Sequence, residues 1–218
     1  LSFEVIVFDC DGTLVDSGAM ILAAMADAFE ASGLAAPAPA AIRQVIGLSL
    51  DEAVRALGPD LAPEVQAALA RRYRVAFSAL RADARYDEPL FPGIAELLAD
   101  LDAGGRRLAI ATGKSRRGVD HLLVKHRLER CFVSVQTADG NPSKPHPEML
   151  RRAVAEAGGG LEAACMIGDT TFDMEMAGLA GVAAIGVGWG HHGPAQLTAA
   201  GARAVAADTA ALRRLLAP

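Results

Sequence analysis

FDCDGTLVDS, residues 8–17, follows a short apolar run of Phe3, Val5, Ile6, Val7 and Phe8 that reads as a buried β-strand. At the end of that strand stand Asp9 and Asp11, one residue apart, followed by Gly12 and Thr13. Cys10 between them reads as a strand-end residue facing the interior, without a chemical role. A glycine at this point frees backbone N–H groups to face an anion. Two carboxylates at i and i+2 on a tight turn can hold a divalent cation against a phosphate, while one attacks it and the other moves a proton.

Outward from this turn, residues 18–87 carry no convincing strand pattern. Residues 20–32 have helical periodicity in Ile21, Leu22, Met25 and Phe29 and stop at Gly33, a natural left-handed cap. Pro37 and Pro39 then read as breaks. Ser49 and Glu52 match a capping box that opens another short helix, and Pro63 fits the first position of a longer one running to Leu80. Helices inserted directly after a first strand predict a separate lid, with linkers near residues 16–19 and 88–93.

From Pro92 onward, helix and strand alternate. Helices are expected over residues 94–101, 115–126, 145–157, 171–179 and 209–216, the last capped by Asp208. Strands are expected over 108–111, 132–136, 165–167, 183–187 and 204–206. Such alternation implies an α/β fold, a mainly parallel sheet with helices on both faces. The alanine richness is a helical bias, and no internal repeat is present.

In a sheet of this kind, ligands bind outside the carboxyl ends of the strands. After the first strand come Asp9 and Asp11. Thr112-Gly113-Lys114 follow the second, Lys144 lies past the third, and Gly168-Asp169 with Asp173 follow the fourth. Each alone is unremarkable. The set of carboxylates, a hydroxyl and a lysine at successive strand ends is the informative observation.

With D-x-D-G-T at Asp9–Thr13, Thr112, Lys144 and the Asp169/Asp173 pair in this order, the chain resembles the haloacid dehalogenase (HAD) superfamily, in its phosphatase branch. The resemblance implies a Rossmann-like core over residues 1–16 and 89–218, with an inserted α-helical cap over 17–88. It implies Asp9 as nucleophile, forming an aspartyl-phosphate, and Asp11 as acid/base, starting protonated because neighbouring carboxylates raise its pKa. Mg²⁺ is the implied cofactor, held by Asp9, the Asp11 backbone carbonyl and Asp169, with Asp173 in support. Lys144 would neutralise phosphate charge, and Thr112 with backbone N–H groups near Gly12 and Gly113 would hold phosphate oxygens. Without a cation and Lys144, several anionic groups would repel a phosphate dianion.

Arg43, in a turn between cap helices, is a candidate for binding a carboxylate or second phosphate on the substrate. Asp16 reads as a helix cap or hinge contact, and Lys114 as a phosphate contact or a solvated residue at a helix start. His121, His126 and His146 lack metal-ligand spacing. His191 and His192 follow the fifth strand, where they could approach the rim of the site.

Three other readings compete. Gly188, Gly190 and Gly193 formally match a dinucleotide-binding fingerprint, as in an oxidoreductase, but Pro194 and the short remaining chain speak against it. A phospho-accepting receiver domain also gathers acids, a Thr and a Lys, but has no lid and no second acid/base. A sugar-phosphate mutase of the β-phosphoglucomutase type keeps all four motifs, yet offers a cap histidine, and residues 17–88 contain none. Hydrolysis of a small phosphomonoester, in the manner of phosphoglycolate phosphatases, is the resulting expectation.

The bulk properties agree. The chain of 218 residues is 52% hydrophobic and 22% charged, with a formal net charge of -5. That acidic balance argues against nucleic acid or an anionic membrane surface as partner. A small phosphorylated metabolite remains suitable, because a cation and a few basic groups can reverse the field within one cleft. Cys10, Cys131 and Cys165 are too scattered for a zinc site or a disulfide framework, so a reducing cytoplasm is the expected location. No apolar run reaches the about 18 residues of a membrane span, and no signal-peptide pattern opens the chain. The initial Leu1 in place of Met reads as a trimmed or engineered terminus, and the protein is expected as a monomer or homodimer.

Overall fold

The structure, a computed structural model, describes residues 3–83 and 86–217; Leu1, on which the reading of the terminus rests, lies outside them. The chain opens with β1 (Val5–Phe8) and then runs through α1 (Gly18–Glu30), α2 (Pro39–Val45), α3 (Leu50–Leu57) and α4 (Pro63–Leu80). Next come α5 (Ile94–Ala103), β2 (Arg107–Thr112), α6 (Arg116–His126), β3 (Ser134–Thr137) and α7 (Glu148–Glu156). It ends with β4 (Ala164–Gly168), α8 (Thr171–Ala180), β5 (Ala183–Val187), α9 (Pro194–Ala199), β6 (Ala204–Ala206) and α10 (Thr209–Leu216).

The six strands form one parallel sheet in the order β3-β2-β1-β4-β5-β6. The chain first builds outward from β1 to β3, then returns to place β4 on the other side of β1. That reversal leaves a crevice at the carboxyl ends of β1 and β4, where ligands of open α/β sheets bind.

Period-2 alternation sorts the strand side chains between two cores. Ile6 and Phe8 of β1, with Leu108 and Ile110 of β2, pack under α5, α6 and α10 through Leu97, Val119 and Leu212. Val5 and Val7, with Ala109 and Ala111, face Leu150 of α7, Met174 of α8 and Leu197 of α9. Both faces are covered, which is why the strands read as continuous apolar runs. Burying Phe8 or Ile110 fully, as here, stabilises by roughly 1.5–3 kcal/mol each.

Helices α1 to α4 have a third core of their own, built on Ile21, Met25, Phe29, Ile42, Val54 and Leu69. Two connecting segments join them to the sheet and pair with each other: Asp16 N–H donates to Pro89 O at 2.9 Å, and Val15 bridges Leu90. Asp16 is thus a contact between the linkers through its backbone.

Four helices depart from the sequence reading. Pro39 opens α2 at its first turn instead of breaking the chain, because a residue there needs no N–H and a φ that proline already has. Arg43 therefore sits on a helix, not in a turn. Pro194 opens α9 in the same way. Conversely, α7 begins only at Glu148: Pro147 disfavours helical backbone at His146 before it, and itself caps the helix with helical dihedrals. The Ser49 capping box does not form: Ser49 caps α3 without a side-chain hydrogen bond, and Glu52 pairs with Arg55 instead.

Candidate active site

The carboxyl ends of β1 and β4 bring Asp9 and Asp169 side by side, and the first turn of α8 adds Asp173. One oxygen from each of the three buried carboxylates lies within 4.8 Å of the other two. Lys144, from the segment after β3, inserts its ammonium 3.0 Å from Asp9 Oδ1 and 2.6 Å from Asp173 Oδ1. Lys144 is itself fully buried, and the two carboxylates outweigh burial and raise its pKa, so it stays charged.

The supporting hydrogen bonds are local consequences of sequence. Asp173 occupies the third position of α8 and accepts from Thr170 N–H at 3.1 Å and Thr170 Oγ1 at 2.7 Å. The T-x-x-D spacing is the capping signal that would have found Thr170. Asp169 accepts from Thr13 Oγ1 at 2.9 Å and from His191 N–H at 2.8 Å. Gly190 backs against the same carboxylate, where a Cβ would stand 2.3 Å from Asp169 Oδ2. The glycine-rich segment after β5 therefore closes on the acidic cluster. Trp189 fixes this loop to the first turn by donating to Thr13 O at 3.2 Å.

Gly12 has φ of +84° and a Cβ there would meet Asp169 Oδ2 at 2.2 Å, so only glycine lets the turn pass so close. His191 and His192 both reach the site. His192 Nδ1 accepts from Thr171 N–H at 3.0 Å, and the Nε2 atoms of both rings are buried without a partner among the described residues. Burial lowers the pKa of each, which favours the neutral rings.

Asp9 is the anomalous member. Both of its oxygens are buried, and neither accepts an aligned hydrogen bond; Lys144 compensates Oδ1 by charge alone. Burial raises its pKa, Lys144 lowers it and Asp173 raises it again, leaving it at about 6. Asp169 is pushed well above the usual carboxylate range by burial and by Asp9 and Asp173. Three hard anionic oxygens crowded together, one from each residue, with no aligned hydrogen bond to either oxygen of Asp9, fit a divalent cation bound through oxygen.

Asp11 lies apart from this cluster. Its Oδ1 accepts from Ser17 Oγ at 2.6 Å and from Lys114 Nζ at 2.7 Å. Burial alone would raise its pKa, but Lys114 and these hydrogen bonds outweigh burial and hold it below the ordinary value. This corrects the expectation of a raised value: the neighbour that dominates is a cation. Lys114 is likewise not a solvated residue at a helix start. It is shared with the buried Glu88 at 2.8 Å, and Glu88 in turn accepts from Arg81 Nε at 3.1 Å. No spacing in the sequence marks Glu88 or Arg81, because Glu88 meets Lys114 only where the segment after α4 returns beside the end of β2, and Arg81 joins them through Glu88.

A cavity of about 230 Å³ opens beside Asp9, Asp11, Thr112 and Gly113 and is roofed by the helices that follow β1. The roof is in contact with the floor. Ser49 N–H donates to Ser143 Oγ at 2.8 Å, and a Cβ at Gly113 would stand 2.5 Å from both Gly47 O and Leu48 O. Thr112 Oγ1 accepts from Lys114 N–H at 3.2 Å. Arg43 is exposed and is not part of the cavity lining. Cys10 is buried, and burial raises its thiol pKa, in line with an inert role.

Residues 6–187 match the family model described as haloacid dehalogenase-like hydrolase. The chain is 39% identical over 200 residues to "Probable phosphatase IndB" of Dickeya dadantii (strain 3937), covering 89% of this chain and 85% of that one. It is 32% identical over 196 residues to a phosphoglycolate phosphatase of Caulobacter vibrioides, covering 88% and 81%. A hydrolase from Pseudomonas syringae of known crystal structure superposes with a TM-score of 0.86 at 26% identity, covering 97% of each chain.

Proposed function

The chain belongs to the haloacid dehalogenase-like hydrolase family and is a phosphatase of it, and from that premise we propose that it hydrolyses a small phosphomonoester with the help of Mg²⁺. The observation that carries this reading is the meeting of Asp9, Asp169 and Asp173 with the ammonium of Lys144 at the carboxyl ends of β1 and β4.

Asp9 would attack phosphorus through a carboxylate oxygen, breaking the ester bond and forming an aspartyl-phosphate. Its two oxygens, without aligned hydrogen bonds, are free to serve a cation and a phosphorus atom. Asp11, ionised beside Lys114 before substrate arrives, would take the proton carried in by a monoanionic phosphomonoester and pass it to the departing alkoxide, then take one from the water that cleaves the acyl phosphate. Lys114, 2.7 Å away, fixes Asp11 and sets its proton affinity. Lys144 would offset charge on the transferring group while keeping Asp9 and Asp173 aligned, and Thr112 with the backbone near Gly12 and Gly113 would orient phosphate oxygens. Asp9, the Asp11 carbonyl, Asp169 and Asp173 would hold Mg²⁺, which when bound supplies positive charge to phosphate oxygens and allows the carboxylates to ionise together.

The helices from Gly18 to Leu80 would act as a cap over a core formed by the rest of the chain, their contact through Ser49 and Gly47 excluding water from the cavity. Hydrolysis is favoured over phosphoryl transfer between sugars, because no histidine lines this cavity among the described residues. A phosphoglycolate-like ester is the substrate class suggested by the phosphoglycolate phosphatase relative, and the cytoplasm is the setting proposed with it; among the described residues no helix is long and apolar enough to cross a membrane. The test is release of inorganic phosphate from p-nitrophenyl phosphate and a panel of phosphorylated metabolites, with Mg²⁺ and with EDTA. Mg²⁺-dependent release lost in Asp9→Asn is expected; release that survives that substitution would overturn the reading.

A further inference from the structure

The cavity that holds Asp9 and Asp11 is also lined by Arg81, three ion-paired links from Asp11 through Lys114 and Glu88. Its guanidinium lies 4.9 Å from the Phe77 ring centroid, and that ring stacks on Tyr73 at 5.6 Å. Arg81 Nε is used by Glu88, but Nη2 is buried and has no hydrogen-bond partner among the described residues. Glu88 is already divided between two cations, so it offers Nη2 little further compensation. A guanidinium nitrogen withdrawn from water wants an acceptor, and Arg81 borders the cavity, so a small turn of the guanidinium would offer Nη2 to an acceptor bound there. The remaining wall is largely apolar, with Ile21, Met25, Ile42, Tyr73 and Phe77 facing the same space. Arg74 and Arg117 also line it but are exposed, and Arg74 has Asp51 at 3.4 Å.

Resting on the phosphatase reading, we propose that Arg81 is a specificity-determining residue whose Nη2 binds an anionic oxygen on the leaving group. The substrate is then a phosphomonoester whose alcohol carries a second acidic group on an apolar or planar body, which packs against Phe77 and the aliphatic wall. Phosphoglycolate has the acid but no body to cover that wall. An ester lacking the acid leaves Nη2 unpaired, and a site built for a charged partner discriminates strongly against a substrate without it.

The experiment compares kcat/KM of the Mg²⁺-supplied enzyme for phenyl phosphate, 4-carboxyphenyl phosphate, the bisphosphate of hydroquinone and phosphoglycolate. At least one acid-bearing aryl ester is expected to exceed phenyl phosphate by about tenfold or more, and to exceed phosphoglycolate. The carboxylate and bisphosphate arms tell which acid is read. In Arg81→Met the ratio of acid-bearing to neutral ester should fall to near one, and Arg81→Lys should restore part of it. Competitive inhibition by 4-hydroxybenzoate but not by phenol checks the wild-type site without relying on the folding of a variant. Equal values for the neutral and acid-bearing esters, or a preference that survives Arg81→Met, would overturn the proposal. Failure to turn over any of these esters would instead contradict the phosphatase reading on which it rests.

Discussion

The ammonium of Lys144 lies 3.0 Å from Oδ1 of Asp9, with neither side chain more than 1% exposed. Removing it in Lys144→Met leaves Asp9, Asp169 and Asp173 as a buried anionic cluster without internal compensation. Breaking a buried pair from one side costs about 3–5 kcal/mol, so the variant should lose that much stability in EDTA and recover part of it in Mg²⁺. Turnover should fall by about 10²–10³-fold in Mg²⁺. Denaturant melts under both conditions and steady-state rates check this; wild-type stability in EDTA would argue against the charge assignment.

Metal and protons should compete for the same oxygens. The Asp9 carboxyl is held at about 6 against an ordinary 3.8, and Asp169 is also raised. The folded state therefore binds protons more tightly than the unfolded chain between these values, and metal-free stability declines as pH rises through that window. Bound Mg²⁺ offsets this decline. Its stabilisation, measured as a rise in Tm over EDTA, should be larger at about pH 8 than at about pH 5, with some 2.7 kcal/mol at a hundredfold excess over Kd. An equal or reversed effect would show that the ion binds elsewhere.

How far the site is legible in the sequence depends on whether each residue acts through its own strand. Val5–Phe8 and Ala164–Gly168 are fully buried runs, so the strands, and the acids just past their ends, follow from apolar patterning and the geometry of parallel sheets. Pro39 and Pro194 are harder, since a proline that opens a helix and one that breaks it look alike in the chain before the fold is known. Glu88, Lys114 and Arg81 are beyond reach because their pairing depends on how the segment after α4 returns beside the end of β2. That pairing also reverses the expected direction of the Asp11 pKa. Thr170 is legible only through its three-residue spacing from Asp173, a signal easily passed over beside the acids themselves.

The Lys114–Asp11 pair makes a signed prediction. With the ammonium gone in Lys114→Met, the Asp11 carboxyl binds protons more tightly, so the acidic limb of kcat/KM set by its ionisation should move to higher pH. Asp11 is held below its ordinary 3.8, so the stability it contributes is present above that value and lost as pH falls through the folded one; the variant lacks this contribution. A pH–rate profile that stays in place or moves down would contradict the pairing.

Asp11→Asn should separate binding from chemistry. Its backbone carbonyl is unchanged, so Mg²⁺ affinity should hold, while the loss of a proton donor should slow turnover by about 10²–10⁴-fold. Calorimetric titration with Mg²⁺ alongside steady-state rates checks both halves. A large loss of metal affinity would show that the side chain holds the ion.

Gly113→Ala tests the contact between roof and floor. A Cβ there would stand 2.5 Å from two backbone oxygens of residues 47 and 48, which cannot swing aside as a side chain can. The loop must lift, so kcat/KM should fall by roughly tenfold or more through misplacement of the substrate. Circular dichroism should show the fold retained. Wild-type kinetics would mean that this contact does not shape the working site.

The role of Asp9 as the attacking group is open to direct chemical capture. Acid quenching during turnover, followed by borohydride reduction, converts an aspartyl-phosphate to homoserine, and peptide mass mapping locates it. Conversion confined to Asp9, dependent on substrate and Mg²⁺, is the expected result. Turnover with Asp9 unmodified and the mark on another residue, or on none, would contradict the assignment.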